Sequence, residues 1–443
     1  MEAGMPAGAF ARRGAIVVAI LCGGCLMPLA AQQPAATAAP PRLEFPPPTP
    51  NDTLKSVEVE ADRHVRFRIW APKAMDVKLQ AEGPEATPGA TPGVVRKAMA
   101  GVAMEKGAQG IWEATIGPIE PGLYRYNFVV DGVHTTDPRN SLTVQTTSEA
   151  RSLYEVPGAD FLEYKPAVPH GAVSVVYYDS KVTGSLRRMH IYTPPGYENG
   201  TARLPVLYLL HGGGDADDAW SVLGRAGAIL DNLIAAGKAV PMIVVMPAGH
   251  TSEFHLAPGL HFDFSAFEND LVSVVMPYVD SHYRTVADRD HRAIAGLSMG
   301  GMQTLDICLT HSGDFGWVGM FSSGWFGDAM KTDAEKDLAQ YKAGGKPFRL
   351  FWVDAGQYDI ALENSRASVA LLNKAGIKTD VHESGGFHSW NNWRDYLYQF
   401  APLLFVESGA RQAARAMRFI EQAPARSQGR LAQNARARAA RQS

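Results

Sequence analysis

The sequence predicts an α/β domain with a mainly parallel sheet, preceded by a β-sandwich. Three observations carry this reading. From about residue 173 to 405, continuous apolar runs alternate with helical patterns. From about 56 to 157, short runs alternate apolar and polar residues between turn signals. Third, Gly296-Leu297-Ser298-Met299-Gly300-Gly301 joins an apolar run to a helical pattern. A G-x-S-x-G turn in that context holds its serine in a strained conformation and presents the hydroxyl at the top of a sheet.

The bulk properties fit this architecture. A chain of 443 residues exceeds one ordinary domain. It is 46% hydrophobic and 20% charged, with a net charge of −3, which argues against nucleic acid as the main partner. Arg12 and Arg13 precede an apolar segment from Ala15 to about Leu29, followed by Ala30 and Ala31. We therefore expect residues 1–31 to be a cleaved export signal, leaving no membrane span in the mature chain and a periplasmic or secreted location. Of three cysteines, Cys22 and Cys25 lie in that segment, so only Cys308 remains and no intrachain disulfide is expected.

Residues 32–55 are rich in alanine and proline and read as a linker. In the sandwich, 56–157, Val65 to Trp70, Asp76 to Leu79, Gly110 to Ile116 and Tyr124 to Val130 read as strands, the last leading into an Asp131-Gly132 turn. Glu82 to Gly93 is a long loop. The second domain, 158–408, opens with two antiparallel strands, Val173 to Tyr178 and Arg188 to Tyr192. The runs Leu204–Leu210, Met242–Met246, His291–Ala295, Phe348–Val353 and Thr379–Glu383 follow as further strands. Helical patterns cover Trp220–Ala236, Phe267–His282, Met299–Thr310 and Glu363–Ala375. The tail, 409–443, carries eight arginines, no lysine and one glutamate, and reads as a solvated basic segment.

The chemistry is expected at Ser298. A serine nucleophile needs a histidine base and an acid that orients it, here in the chain order serine, acid, histidine. Downstream, Asp354 ends one strand run and Asp359 follows in the loop, and either carboxylate meets the requirement. His388 follows the last strand in Ser384-Gly385-Gly386-Phe387-His388. The oxyanion hole is expected from the Met299 backbone N–H, at a helix N-terminus, and from Gly213 or Gly214 in His211-Gly212-Gly213-Gly214. His211 reads as structural. No G-K-[ST] follows the glycines, so a phosphate loop is set aside. His250 and His255 match no metal-ligand spacing, and no metal or cofactor is expected. Trp325 and Phe326, with core packing as the alternative, and Trp390 are the candidate substrate-binding residues.

Two resemblances add to this. Phe67 to Pro72, Gly110-Ile111-Trp112-Glu113, Gly122 to Tyr126, Val130-Asp131-Gly132 and Asp137-Pro138 resemble the early-set immunoglobulin-like modules, in particular family 48 carbohydrate-binding modules. The loop Ala81 to Gly93 has no aromatic residue and His134 follows the turn, so the glucan-binding tryptophans of those modules lack counterparts. Tyr192 to Tyr197, Leu204 to Gly213, Tyr278 with His282-Tyr283-Arg284, Arg292 to Gly301, Phe321 to Gly324, and His388 with Trp390 and Trp393-Arg394 resemble the esterase-D-like α/β-hydrolases. That family includes the feruloyl and acetylxylan esterases of carbohydrate esterase family one. The resemblance implies a serine carboxylesterase acting on acylated polysaccharide or oligosaccharide, with feruloyl esters ahead of acetyl esters of xylan. It favours Asp359, through a Gly-x-x-Asp pattern, over Asp354. Alternatives are a siderophore esterase of the enterochelin type and a non-catalytic glycan-binding protein.

Overall fold

The computed structural model describes residues 45–84, 91, 93, 100–251, 264–327 and 329–406. The expected export signal, most of the linker, the segment 252–263 and the basic tail lie outside them. Among the described residues no helix is long and apolar enough to cross a membrane.

Among the described residues ten strands come first: β1 (Val57–Val59), β2 (Val65–Trp70), β3 (Val77–Ala81), β4 (Val102–Ala103), β5 (Glu105–Lys106), β6 (Ile111–Ile116), β7 (Gly122–Val130), β8 (Val133–Thr135), β9 (Thr143–Gln145) and β10 (Ala150–Val156). They form two antiparallel sheets, β1-β2-β6-β5 and β4-β3-β7-β10-β9, with β8 paired to β7. Alternation builds the core. Val65, Phe67 and Ile69 of β2 are buried while Arg66 and Arg68 between them reach outward. Phe67 meets Tyr126 and Tyr154 from the other sheet, with ring centroids 4.9 and 5.1 Å apart. The Asp131-Gly132 turn has positive φ at both residues, 48° and 86°, and joins Val130 to Val133 in register. These dihedrals suit a two-residue hairpin.

The second region is built on one eight-stranded sheet of β11 (Ala172–Ser180), β12 (Ser185–Thr193), β13 (Val206–Leu210), β14 (Ile243–Pro247), β15 (Arg292–Leu297), β16 (Trp317–Phe321), β17 (Leu350–Gly356) and β18 (Asp380–Ser384). Its order is β11-β12-β14-β13-β15-β16-β17-β18. β12 pairs antiparallel with both β11 and β14, and the other neighbours pair in parallel. β13, β14, β16 and β17 are buried at every residue, as continuous apolar runs require when helices cover both faces. From β13 the chain passes to β14 on one side and then to β15 on the other. The C-terminal ends of β13 and β15 therefore flank a topological switch point, where open α/β sheets form their clefts.

The helices are α1 (Ala219–Val222), α2 (Ala226–Ala235), α3 (Ser265–Asp270), α4 (Met276–His282), α5 (Met299–Thr310), α6 (Ala329–Gly344), α7 (Leu362–Lys374) and α8 (Trp390–Phe400). A π-helical turn, Leu271–Val275, joins α3 to α4. The β region and the α/β region belong to one compact unit that begins at Pro48.

Two departures from the sequence reading have physical causes. The single helix expected over 220–236 is broken after Val222. Gly224 packs so closely on Trp220 and Trp390 that an added Cβ would lie 2.8 Å from each ring. Arg225 then takes a left-handed φ of 48°, held by a two-pronged ion pair with Glu155 at 2.9 and 2.6 Å. Helices α6 and α8 were not expected. The inward stripe of α6 is Ala334, Asp337 and Leu338, and that of α8 includes the buried Arg394. A charged residue in each stripe breaks the apolar period that marks a helix in sequence.

The charge in α6 yields a prediction. Asp306 of α5 and Asp337 of α6 are hydrogen-bonded to each other. Burial and the neighbouring carboxylate raise Asp306 well above the usual carboxyl range, and burial pushes Asp337 up to about 6. A carboxyl raised on folding stabilises the fold most below its unfolded value near 4 and loses that contribution as pH rises through its folded value. Asp337→Asn is therefore expected to stabilise the protein at pH 8, by about 1–3 kcal/mol, and to change little at pH 4. Thermal melts across that range check the sign.

Candidate active site

Ser298 sits between β15 and α5 with φ 51° and ψ −116°, outside the comfortable regions for a residue with a side chain. The strain is held by close backbone packing. Gly301 N–H donates to the Ser298 carbonyl at 2.9 Å and the Ser323 hydroxyl donates to the same oxygen at 2.7 Å. Ser298 N–H donates to Phe321 O at 2.9 Å. Gly300 explains why a side chain is excluded beside the serine: an added Cβ would lie 2.6 Å from His211 O and 2.7 Å from Leu210 O. Gly300→Ala is thus expected to push the turn away from β13. It should cost about 1–3 kcal/mol and most of the turnover, read by denaturant titration and by hydrolysis of 4-nitrophenyl acetate.

The acid and base loops are zipped together at the ends of β17 and β18. Gln357 N–H donates to Ser384 O and Tyr358 N–H to Gly386 O, both at 2.9 Å. The zipper brings Asp359 Oδ1 to 2.7 Å from His388 Nδ1. The Asp359 side chain is fully buried and that of His388 is 20% exposed. Oδ1 also accepts the Ala361 N–H at 2.8 Å. Burial alone would raise the Asp359 carboxyl. The hydrogen bond and charge of His388, with Ser322 and the Ala361 N–H, outweigh it and hold the group below the usual carboxylate range. An ionised Asp359 takes the Nδ1 proton as its hydrogen bond, which leaves Nε2 as the free acceptor of the ring. The His388 ring meets Trp393 edge to face at 5.0 Å, and Trp393 Nε1–H donates to Ser322 Oγ at 2.9 Å.

Of the two carboxylates left open by the residues, the structure brings Asp359 to the histidine. Asp354 lies within β17, 2% exposed, and accepts the Trp352 indole N–H at 3.0 Å. Phe387, the residue between the glycine pair and His388, is buried and stacks on Tyr358 at 5.2 Å.

The glycine loop after β13 lies beside the serine. A Cβ added to Gly212 would be 3.7 Å from Ser298 Cβ. His211 is a brace: Nδ1 donates to Gly212 O and Nε2 accepts the Gly249 N–H, both at 2.8 Å. The neighbouring His250 is pushed down to about 4, by burial first and then by His211, and stays neutral at working pH. Gly212 N–H is committed to Asp215 Oδ2 at 3.2 Å. Gly213 is half-buried, and Gly214 is exposed with its carbonyl taken by Thr147 N–H at 3.3 Å. Among the described residues neither Met299 N–H nor Gly213 N–H has a protein acceptor. Asp215 was not singled out in the sequence, although its place four residues after His211 was a usable signal.

The three candidate substrate residues are not gathered in one place. Trp325 and Trp390 are 2% and 3% exposed and sit in separate core clusters, Trp390 edge-on to Trp220 at 5.0 Å. Ring packing holds both indoles inside the fold, the core-packing alternative in the case of Trp325. Phe326 is half-buried. His255 lies outside the described residues.

The chain is similar to several known proteins. A family model described as "Putative esterase" matches residues 180–404. An endo-1,4-beta-xylanase/feruloyl esterase of Xylanibacter ruminicola is 33% identical over 357 residues, covering 78% of this chain and 45% of that protein. An esterase of Mycobacterium tuberculosis is 34% identical over 246 residues, covering 45% of this chain and 52% of its own. The chain thus spans about half the length of these curated relatives. Among solved structures, an enterobactin esterase from Shigella flexneri has a TM-score of 0.53 at 17% identity, over 76% of this chain and 92% of that one, which shows a shared fold.

Proposed function

The chain belongs to the Esterase family, and from that premise we propose that it is a serine carboxylesterase acting on acylated plant cell-wall polysaccharide, with feruloyl esters favoured over acetyl esters of xylan. It is an esterase with the α/β-hydrolase fold. The observation that carries the chemistry is the pairing of His388 with buried Asp359 at the C-terminal edge of the sheet that also bears Ser298. The substrate class rests on similarity to the xylanase/feruloyl esterase.

In the proposed mechanism the Ser298 hydroxyl attacks the ester carbonyl while His388 Nε2 takes its proton. Asp359 fixes the tautomer and stabilises the imidazolium. The Met299 N–H, at the positive end of α5, and the Gly213 N–H hold the developing oxyanion, with Gly214 the second loop candidate. The tetrahedral intermediate collapses, His388 gives its proton to the leaving alcohol, and Ser298 keeps the acyl group. Water, activated by the same histidine, then releases the acid and restores the serine.

We assign residues 56–157 to an immunoglobulin-like sandwich module and 158–408 to the hydrolase domain. The two antiparallel sheets around one core support the former. Export remains part of the proposal on the Arg12-Arg13 and apolar segment.

Product-resolved acyl release from feruloylated arabinoxylan and acetylated xylan, with native and Ser298→Ala protein, tests the substrate. Serine-dependent ferulate release is expected to dominate. Acetate alone moves the assignment to acetylxylan, and neither product with turnover of small esters overturns the polysaccharide assignment.

A further inference from the structure

The glycine loop is held from two sides, and only one of them belongs to the α/β region. On that side stand the His211 brace and Gly249, whose carbonyl accepts the Gln303 side-chain N–H at 2.9 Å. On the other side stands the β region. Arg125 of β7 donates from Nη1 to Asp215 Oδ1 at 2.8 Å. Its Nε donates to Glu82 Oε1 at 2.7 Å, and Nη2 lies 2.6 Å from the same oxygen. Asp215 Oδ2 accepts the Gly212 N–H, and Asp215 N–H donates back to Gly212 O, both at 3.2 Å. Thr146 and Asp215 form an antiparallel bridge, and Thr147 N–H reaches Gly214 O. The β region also grips the helix after the base loop: Arg394 Nη1 donates to Leu123 O at 2.8 Å, and Asn391 donates to the Tyr124 hydroxyl at 2.8 Å.

We propose that Arg125 is a positioning residue for the reaction, setting the oxyanion loop through Asp215, so that the β region completes the active site of the hydrolase. The proposal rests on the reading of Met299 and Gly213 as the oxyanion donors. Gly212 and Gly213 have no side chains to fix them, and a loop of such residues samples many conformations unless its ends are tied. Asp215 Oδ2 ties the Gly212 N–H, one residue before Gly213 and on the stretch of loop that lies beside Ser298. A carboxylate that accepts one backbone bond still has a second oxygen to place, and Arg125 fixes it with a charge-assisted bond. The Arg125 side chain is 15% exposed and that of Asp215 is 5% exposed, so the pair is shielded from solvent and salt. Burial opposes the guanidinium charge, and Glu82 and Asp215 more than restore it. Glu82 thus supplies the second carboxylate that keeps Arg125 aimed at the loop.

A positioning role and a merely structural one differ in what they move. Misplacing an oxyanion donor weakens transition-state binding and leaves ground-state binding alone. Arg125→Ala is expected to lower kcat for 4-nitrophenyl acetate roughly ten- to hundred-fold, with KM within about two-fold. Affinity for phenylboronic acid, whose tetrahedral adduct on Ser298 needs the same donors, should fall in parallel. Arg125→Lys keeps a charge toward Asp215 but loses the fork to Glu82, and should recover part of kcat. Adding Arg125→Ala to Asp215→Asn should cost little beyond Asp215→Asn alone, because the two act through one contact. Glu155→Gln breaks the separate ion pair with Arg225 and should leave kcat unchanged.

If Arg125→Ala does not fold, Arg125→Lys and Asp215→Asn carry the test with the same readouts. A kcat within two-fold of native in folded Arg125 and Asp215 variants overturns the positioning role, as does an equal loss in Glu155→Gln. Absence of turnover by the native protein overturns the site reading itself, and the inference with it.

Discussion

Ser298→Ala is expected to lower kcat for ester hydrolysis by roughly 10⁵–10⁶, leaving only the residual catalysis of the oxyanion hole and binding. Among the described residues the hydroxyls of Ser322 and Ser323 are already engaged. Ser322 Oγ accepts the Trp393 indole N–H, and Ser323 Oγ is spent on the Ser298 carbonyl. Alanine at φ 51° carries the same backbone strain as serine, so the fold should melt within about two degrees of native. Initial rates with 4-nitrophenyl acetate and a circular dichroism melt, on one preparation, separate lost chemistry from lost structure. Residual turnover above about one per cent of native would place the nucleophile elsewhere.

Asp359→Asn is expected to cost roughly 10⁴ in kcat with the loop geometry kept. An asparagine amide facing Nδ1 as a donor forces the imidazole proton onto Nε2, where the base must be free. The paired substitution Asp354→Asn should change kcat by less than about five-fold, because Asp354 bonds the Trp352 indole inside the sheet. A stability signature accompanies the loss. A carboxyl whose pKa falls on folding stabilises the protein above its unfolded value near 4, and that contribution disappears as pH drops through the lower folded value. The native acid arm of melting temperature against pH should therefore be steeper than that of Asp359→Asn.

Much of this site was legible because its signals are local. A strand, a glycine-framed serine and a helix occupy one short stretch, and β13 and β17 read as buried because their runs are apolar throughout. His388 was legible from chain order and its glycine-rich loop. Asp359 and Asp354 were not separable by residue type, since both come shortly after the same apolar run, Phe348–Val353. Their difference lies in the zipper between the β17 and β18 loops, which is a tertiary contact. The tryptophans show the converse. Trp325 and Trp390 follow site motifs in sequence, yet packing against distant partners turns them inward. Arg125 and Asp215 are 90 residues apart, and no sequence period links them. Helices α6 and α8 were hidden because Asp337 and Arg394 occupy their buried stripes.

The measurement that tests the central claim most directly is the mass of the acyl-enzyme. Rapid acid quench of the native protein with a slowly turned-over ester, followed by peptide mapping, should place the acyl group on the peptide containing Ser298. In Asp359→Asn the same adduct should form more slowly, and in Ser298→Ala it should be absent. An adduct on another residue, or full turnover in Ser298→Ala, would contradict the account.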